Sequence, residues 1–166
     1  SETRNNVVFG RGSKDANILI IGEAPGKDED QTGEPFIGRA GKLLNEILFS
    51  MKLTRDEVYI TNTVKCRPPE NRNPNSDEIK SCSGFLDNQI DSISPKIIIL
   101  LGKVAAESIM NTSETMASLR GKVHYYKDTK IPMLVFYHPA YLLRSPSEKR
   151  KVWDDILLMR TITDGC

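Results

Sequence analysis

Long apolar runs, an excess of charge of either sign and a useful number of cysteines are all missing from this chain, and each absence excludes something. No apolar run approaches the roughly 20 residues that a membrane-spanning helix needs. The start, Ser1-Glu2-Thr3-Arg4-Asn5-Asn6, is too polar for a signal peptide, so the expected location is intracellular, in the cytoplasm. Lys and Arg total 23 against 22 Asp and Glu, and this near-balance means that any contact with a polyanion depends on local clusters. The three cysteines, Cys66, Cys82 and Cys166, are odd in number and too sparse for a disulfide scaffold, which suits a reducing compartment. With 166 residues the chain has room for one well-cored domain, and we expect residues 1–166 to form a single domain.

What is present is a series of short β-branched runs separated by helical patterns. Ile18-Leu19-Ile20-Ile21 reads as the first buried strand, after a short extended segment over Val7 to Ser13. Leu43, Leu44, Ile47, Leu48 and Met51 recur at helical spacing from Arg39 onward. Val58 to Thr61 is a second strand. The proline-rich connection Lys65 to Pro74 then excludes a helix, and Asn75 or Ser76 caps one that runs to about Ser92. Lys96-Ile97-Ile98-Ile99-Leu100-Leu101-Gly102 has the pattern of a central parallel strand, apolar on both faces. Val104 to Met110 is a short helix, Asn111 to Leu119 a loop, Val123 to Tyr126 an edge strand and Met133 to Phe136 the last buried strand. Ser147 to Arg160 closes the chain as a helix with Val152, Trp153, Ile156 and Leu157 turned inward. Alternating strands and helices predict an α/β protein, a three-layer α/β/α sandwich around a central, mainly parallel sheet of roughly four strands.

In such sheets ligands bind at the carboxyl ends of the strands. Glu23 lies two residues past Ile21, Asn62 one past Thr61 and His138 two past Phe136, so a carboxylate, an amide and an imidazole are expected on one edge. The plainer alternatives are a tight turn at Gly22 to Asp30, a turn-capping Asn62 and a structural His138. Asp28, Glu29 and Asp30 are a solvated acidic loop or part of a cation site, although no second ligand cluster at regular spacing accompanies them. His124 reads as structural. Two basic groups, Lys65, Arg67 and Arg72 and then Arg144, Lys149, Arg150 and Lys151, flank the same edge and suggest a track for phosphates. Between them Tyr141-Leu142-Leu143 forms an apolar tip on a loop bounded by Pro139 and Pro146, suited to entering a base stack or, more plainly, to stapling that loop. A nucleic-acid-binding module without catalysis and a hydrolase of free nucleosides are the competing readings. The first has no need of Glu23 and His138, and the second no need of the basic loops.

The motifs Gly22-Glu23-Ala24-Pro25-Gly26 with Glu29-Asp30 and Gly33-Glu34-Pro35-Phe36, Asn62 to Pro74, and His138-Pro139-Ala140-Tyr141-Leu142-Leu143-Arg144 together resemble the family 4 uracil-DNA glycosylases, over nearly the whole chain. The resemblance implies a DNA-repair enzyme that flips uracil out of DNA and hydrolyses its N-glycosidic bond, acting as a monomer on uracil-containing DNA with free uracil as product. It implies Glu23 and His138 as catalytic residues and Gly22, Ala24, Glu29, Phe36 and Asn62 around the base. Phe36 would stack, Asn62 would read the uracil edge, and Glu29 would exclude the thymine methyl. Arg67, Arg72, Tyr141, Leu142, Leu143 and Arg144 would face DNA. The family resemblance also implies a [4Fe-4S] cluster held by four cysteines, of which Cys66 and Cys82 correspond to two. The other two would belong to a pair near the N-terminus; either a segment carrying them precedes Ser1, or the protein has dispensed with the cluster, or Cys166 substitutes for one ligand, and the first is the expectation.

Overall fold

The computed structural model describes residues 10–12, 15–23, 31–33, 35–63 and 86–163. Among them six strands form one sheet: β1 (Arg11–Gly12), β2 (Ile18–Gly22), β3 (Tyr59–Asn62), β4 (Ile97–Leu101), β5 (His124–Tyr125) and β6 (Pro132–Phe136). Their order across the sheet is β1-β3-β2-β4-β6-β5. The inner four are parallel, as expected, and the two-residue edge strands β1 and β5 pair antiparallel. β1 falls within the extended segment anticipated over Val7 to Ser13, and β5 within Val123 to Tyr126.

The inner strands are apolar on both sides because both faces are covered. Ile18, Ile20, Ile60, Ile99, Leu134 and Phe136 point to one core, which α1 (Arg39–Ser50) seals with Leu43, Leu44, Ile47 and Leu48. Leu19, Ile21, Ile98, Leu100, Met133 and Val135 point to the other. That second core is closed by Leu86, Ile90 and Ile93 of the helical residues 86–93 (α2) and by Ala105 and Ala106 of α3 (Lys103–Met110). Period-2 alternation along each strand thus feeds two cores at once, which is the signature of a three-layer arrangement.

Three helical expectations change. The stretch expected as loop before Leu119 contains a short helix, α4 (Met116–Leu119), because Thr115 caps it by accepting a bond from Ser118 N–H. The segment after His138 is a helix, α5 (Pro139–Arg144), with His138 as its cap and Pro139 in the first turn, where proline's missing N–H is no loss. In the last helix, α6 (Lys149–Thr163), the buried stripe is Val152, Asp155, Ile156 and Met159. Trp153 and Leu157 were expected to face inward, yet they are 48% and 45% exposed, one position out of phase with that stripe. No helix among the described residues is long and apolar enough to cross a membrane.

Sheet order also fixes where a site can form. The chain leaves β2 for β3 on one side, then crosses back over β2 to place β4 and β6 on the other. The carboxyl end of β2 is therefore the switch point of the sheet, the usual position of a ligand crevice. Gly22 and Glu23 lie there.

Candidate active site

The register of the parallel strands brings the predicted residues together. Gly22 is paired with Asn62 across β2 and β3, and the pairing continues one residue further, where Thr63 N–H donates to Gly22 O at 2.9 Å. Thr63 Oγ1 donates to Glu23 O at 2.7 Å, which fastens the start of the Glu23 loop to the end of β3. On the other side, Gly102 N–H donates to Phe136 O at 2.8 Å and carries β4 and β6 to the same edge, with His138 two residues beyond.

Two glycines mark how closely the side chains converge. A methyl group on Gly22 would stand 2.4 Å from Phe36 Cζ and 2.6 Å from Asn62 Oδ1, so both residues lie against the backbone there. At Gly102, whose φ is +94°, a Cβ would lie 3.0 Å from His138 Cβ and 3.1 Å from Glu23 Oε1. Gly102 thus keeps clear the space between the carboxylate and the imidazole. The Phe36 and His138 rings complete the circuit, with centroids 5.6 Å apart and planes inclined at 33°. Glu23, Asn62 and His138 occupy one edge, as their strand-end positions predicted, and Phe36 joins them from the turn before α1. Asn62 is only 2% exposed, so its amide is held by the surrounding fold.

His138 is fixed in one state. Its Nδ1 accepts the Ala140 N–H at 3.0 Å, which leaves Nε2 to carry the proton in the neutral ring. Burial, and next the nearby Arg144 cation, lower its pKa to about 4, so the ring stays uncharged at neutral pH. Glu23 is pushed the other way. Burial raises its pKa, Arg144 draws it back down, and the Glu107 carboxylate adds a smaller upward push. Arg144 therefore acts on both groups in the sense that keeps the acid ionised and the imidazole neutral.

A crevice of about 590 Å³ opens on Glu23 and His138, and its walls include Gly102, Tyr137, Ala140, Tyr141 and Arg144. Lys103 and the Thr115 to Ala117 segment also line it. Nothing in the sequence pattern singled these out, and for the Thr115 to Ala117 segment the loop expectation hid α4. Arg55 was likewise missed: it donates to Pro35 O at 2.9 Å, to Phe36 O and to Gly41 O at 3.2 Å. These bonds hold the turn in which Phe36 adopts a left-handed φ of 53°. An arginine 19 residues away in sequence carries no local signal of that task.

The apolar tip is divided. Leu142 was expected to face DNA, but as the fourth position of a helix it turns inward and is 1% exposed in the main core. Tyr141 and Leu143 are partly buried and Arg144 is exposed. Ala24, Glu29, Cys66, Arg67, Arg72 and Cys82 lie outside the described residues. Among the described residues no group of three or more His, Cys, Asp or Glu is placed to hold a metal ion. His124 has the structural role expected of it, with Nε2 2.9 Å from Leu119 O.

The family model described as the uracil DNA glycosylase superfamily matches residues 9–157. The chain belongs to this superfamily. It is 45% identical over 159 residues to a type-4 uracil-DNA glycosylase of Saccharolobus solfataricus, covering 92% of this chain and 74% of that one. It is 43% identical over 166 residues to the type-4 enzyme of Sulfurisphaera tokodaii, covering 96% and 76%. With the type-4 enzyme of Archaeoglobus fulgidus the identity is 42% over 160 residues, covering 93% and 80%. Within the superfamily, it is with type-4 uracil-DNA glycosylases that the chain groups.

Proposed function

We propose that this chain is a DNA-repair uracil-DNA glycosylase that takes uracil out of the base stack and hydrolyses the bond between uracil and deoxyribose, leaving an abasic site. The observation that carries the reading is the pairing, at one sheet edge, of Glu23 with a histidine whose Nδ1 is already committed to Ala140 N–H. As the glycosidic bond breaks, negative charge gathers on the uracil and positive charge on the sugar. His138 Nε2–H donates to uracil O2, and a donor aimed at developing charge is worth about 3 to 4 kcal/mol. A neutral donor serves this purpose without giving up its proton. Glu23, ionised, orients the attacking water and stabilises the sugar cation.

Recognition precedes chemistry. Phe36 stacks on the uracil ring and holds it without reading it. Asn62 accepts from uracil N3–H and donates to O4, whereas cytosine offers the opposite set, and a site with fixed buried polar groups rejects such a mismatch by roughly 10⁴-fold. Gly22 and Ala24 lend backbone beside the base, and Glu29 blocks the thymine methyl. Flipping the base costs a few kcal/mol, and α5 fills the gap with Tyr141, Leu143 and Arg144. The burial of Leu142 passes its share of that task to Leu143. Arg67 and Arg72 contribute phosphate contacts.

Residues 1–166 are read as one domain, monomeric and intracellular. Cys66 and Cys82 are two thiolates, half the set that a [4Fe-4S] cluster takes, so the fit to the cluster is incomplete and no step of the reaction is routed through it. Iron and sulfide analysis of the purified protein tests the cluster.

Incubation with a uracil-containing oligonucleotide, followed by alkaline cleavage, tests the function. Free uracil and an alkali-labile site are expected. Binding without release would indicate a recognition module, and release from free deoxyuridine but not from DNA would indicate a nucleoside hydrolase.

A further inference from the structure

Asp155 is a buried carboxylate that the reaction above does not use. Arg120, directly after α4, meets it with a two-pronged bond: Nε donates to Oδ2 and Nη2 to Oδ1, each at 3.0 Å. The two side chains are 13% and 3% exposed. The same guanidinium donates to Lys151 O at 2.8 Å and lies 4.8 Å from the centroid of the Tyr137 ring. Tyr137 stacks on Tyr141, with centroids 4.8 Å apart and planes 26° from parallel. A continuous series of contacts therefore runs from α6 through Arg120 and Tyr137 to Tyr141 on α5.

Burying an ion pair is a poor way to gain stability, because desolvation offsets most of the attraction. What a bidentate guanidinium does supply is a fixed plane. Here that plane supports the Tyr137 ring, and Tyr137 supports Tyr141. Arg120 also ends the short helix whose Met116 and Ala117 line the crevice, so one side chain ties together two walls of the site and the terminal helix.

We propose that Arg120 and Asp155 are a positioning pair that holds α5 at the angle from which Tyr141, Leu143 and Arg144 enter a base stack. The proposal rests on the reading of the crevice as a uracil-DNA glycosylase site. A loosened α5 handicaps the enzyme where uracil must be displaced from a paired, stacked duplex, and far less where the base is already in a single strand. The ratio of duplex to single-strand activity is therefore the quantity that the pair controls, and general destabilisation would not move it.

The test is single-turnover uracil release from one oligonucleotide, in single-stranded form and paired with its complement. The proteins compared are the unaltered chain, Asp155→Asn, Arg120→Lys, Tyr137→Phe and Tyr137→Leu, with folding verified by thermal melting. Asp155→Asn and Arg120→Lys should lose roughly ten- to a hundredfold on duplex, the scale of a small misplacement, with little change on single strands. Tyr137→Leu leaves the ion pair in place but removes the ring that relays it, and should repeat the duplex-selective loss even if the ion-pair variants fail to fold. Tyr137→Phe, which keeps the ring, should lose less on duplex than Tyr137→Leu. Equal losses on both forms, or no loss by Tyr137→Leu, would overturn the proposal. Absence of release by the unaltered chain from either form would instead overturn the reading of the site.

Discussion

Two carboxylates in this fold are drawn out of water near an arginine, and they end in different conditions. Asp155 has both oxygens held by Arg120. Burial lifts its pKa to about 6, and the Arg120 bond and charge pull against that rise. Glu23 is lifted by burial too, but Arg144 opposes the shift by charge alone, and among the described residues no ion pair fastens it. A carboxylate whose oxygens are all committed is a strut. One whose oxygens face a crevice, beside a neutral imidazole, can hold and orient a water. Position decides which: Asp155 sits mid-helix on a core stripe, whereas Glu23 follows the last residue of β2 at the switch point of the sheet.

The comparison breaks first if Glu23 proves dispensable. Glu23→Gln should lower single-turnover uracil release by roughly 10² to 10⁴-fold, the range for a lost general base, while its melting temperature stays at or above that of the unaltered chain. Asp155→Ala should instead lose stability, with single-strand release largely kept. Leaving Arg120 buried without its partner should cost about 3 to 5 kcal/mol of stability in urea unfolding. A comparable loss by Glu23→Gln would show that both acids are structural.

A smaller pair of effects separates the two leucines of α5. Leu142→Ala should cost about 2 to 5 kcal/mol of stability, as a core truncation does. Leu143→Ala should cost less stability and lose more activity on duplex uracil than on single strands. If Leu142→Ala proves neutral in urea unfolding, its place in the core is wrong.

The smallest effect expected is on the pH dependence of stability, where His138 and Asp155 act with opposite sign. The folded pKa of His138, about 4, lies below its ordinary 6.5. The unfolded chain therefore binds more protons between those values, and the histidine's contribution falls as pH drops through that window. The folded pKa of Asp155, about 6, lies above its ordinary 3.8, so its contribution falls as pH rises across that window. His138→Gln should remove the first slope and leave the second, giving a protein that gains stability relative to the unaltered chain as pH is lowered from 6.5 to 4. Parallel profiles from urea titrations at several pH values would contradict the assignment.

How far the sequence foretold this depends on whether a residue's task is set by its own strand. Glu23, Asn62 and His138 could be placed on one edge because parallel strands deliver their ends together, and the runs that form β2, β4 and β6 are unmistakably apolar, while Val58, Tyr59 and Ile60 mark β3. Helix α5 was not legible in that way. Pro139 and Pro146 looked like loop boundaries, whereas a proline in the first turn with His138 as cap begins a helix. The phase of α6 was misread because a charged residue, Asp155, stands on its core stripe and makes that stripe look polar. Its partner Arg120 is 35 residues upstream, and no local pattern joins them. Arg55 escaped notice for the same reason, since its task is to hold the carbonyls of a turn that precedes α1.

The contrast between the two acids comes down to one measurement, the pH profile of single-turnover uracil release by the unaltered chain, Asp155→Asn and Glu23→Gln. The unaltered chain and Asp155→Asn should both show an acid limb above pH 4.5, the ordinary value that Glu23 exceeds. In the residual activity of Glu23→Gln that limb should be gone, leaving only the fall near pH 4 that belongs to His138. An unchanged limb in Glu23→Gln, or its disappearance in Asp155→Asn, would contradict the assignment of Glu23 as the working carboxylate.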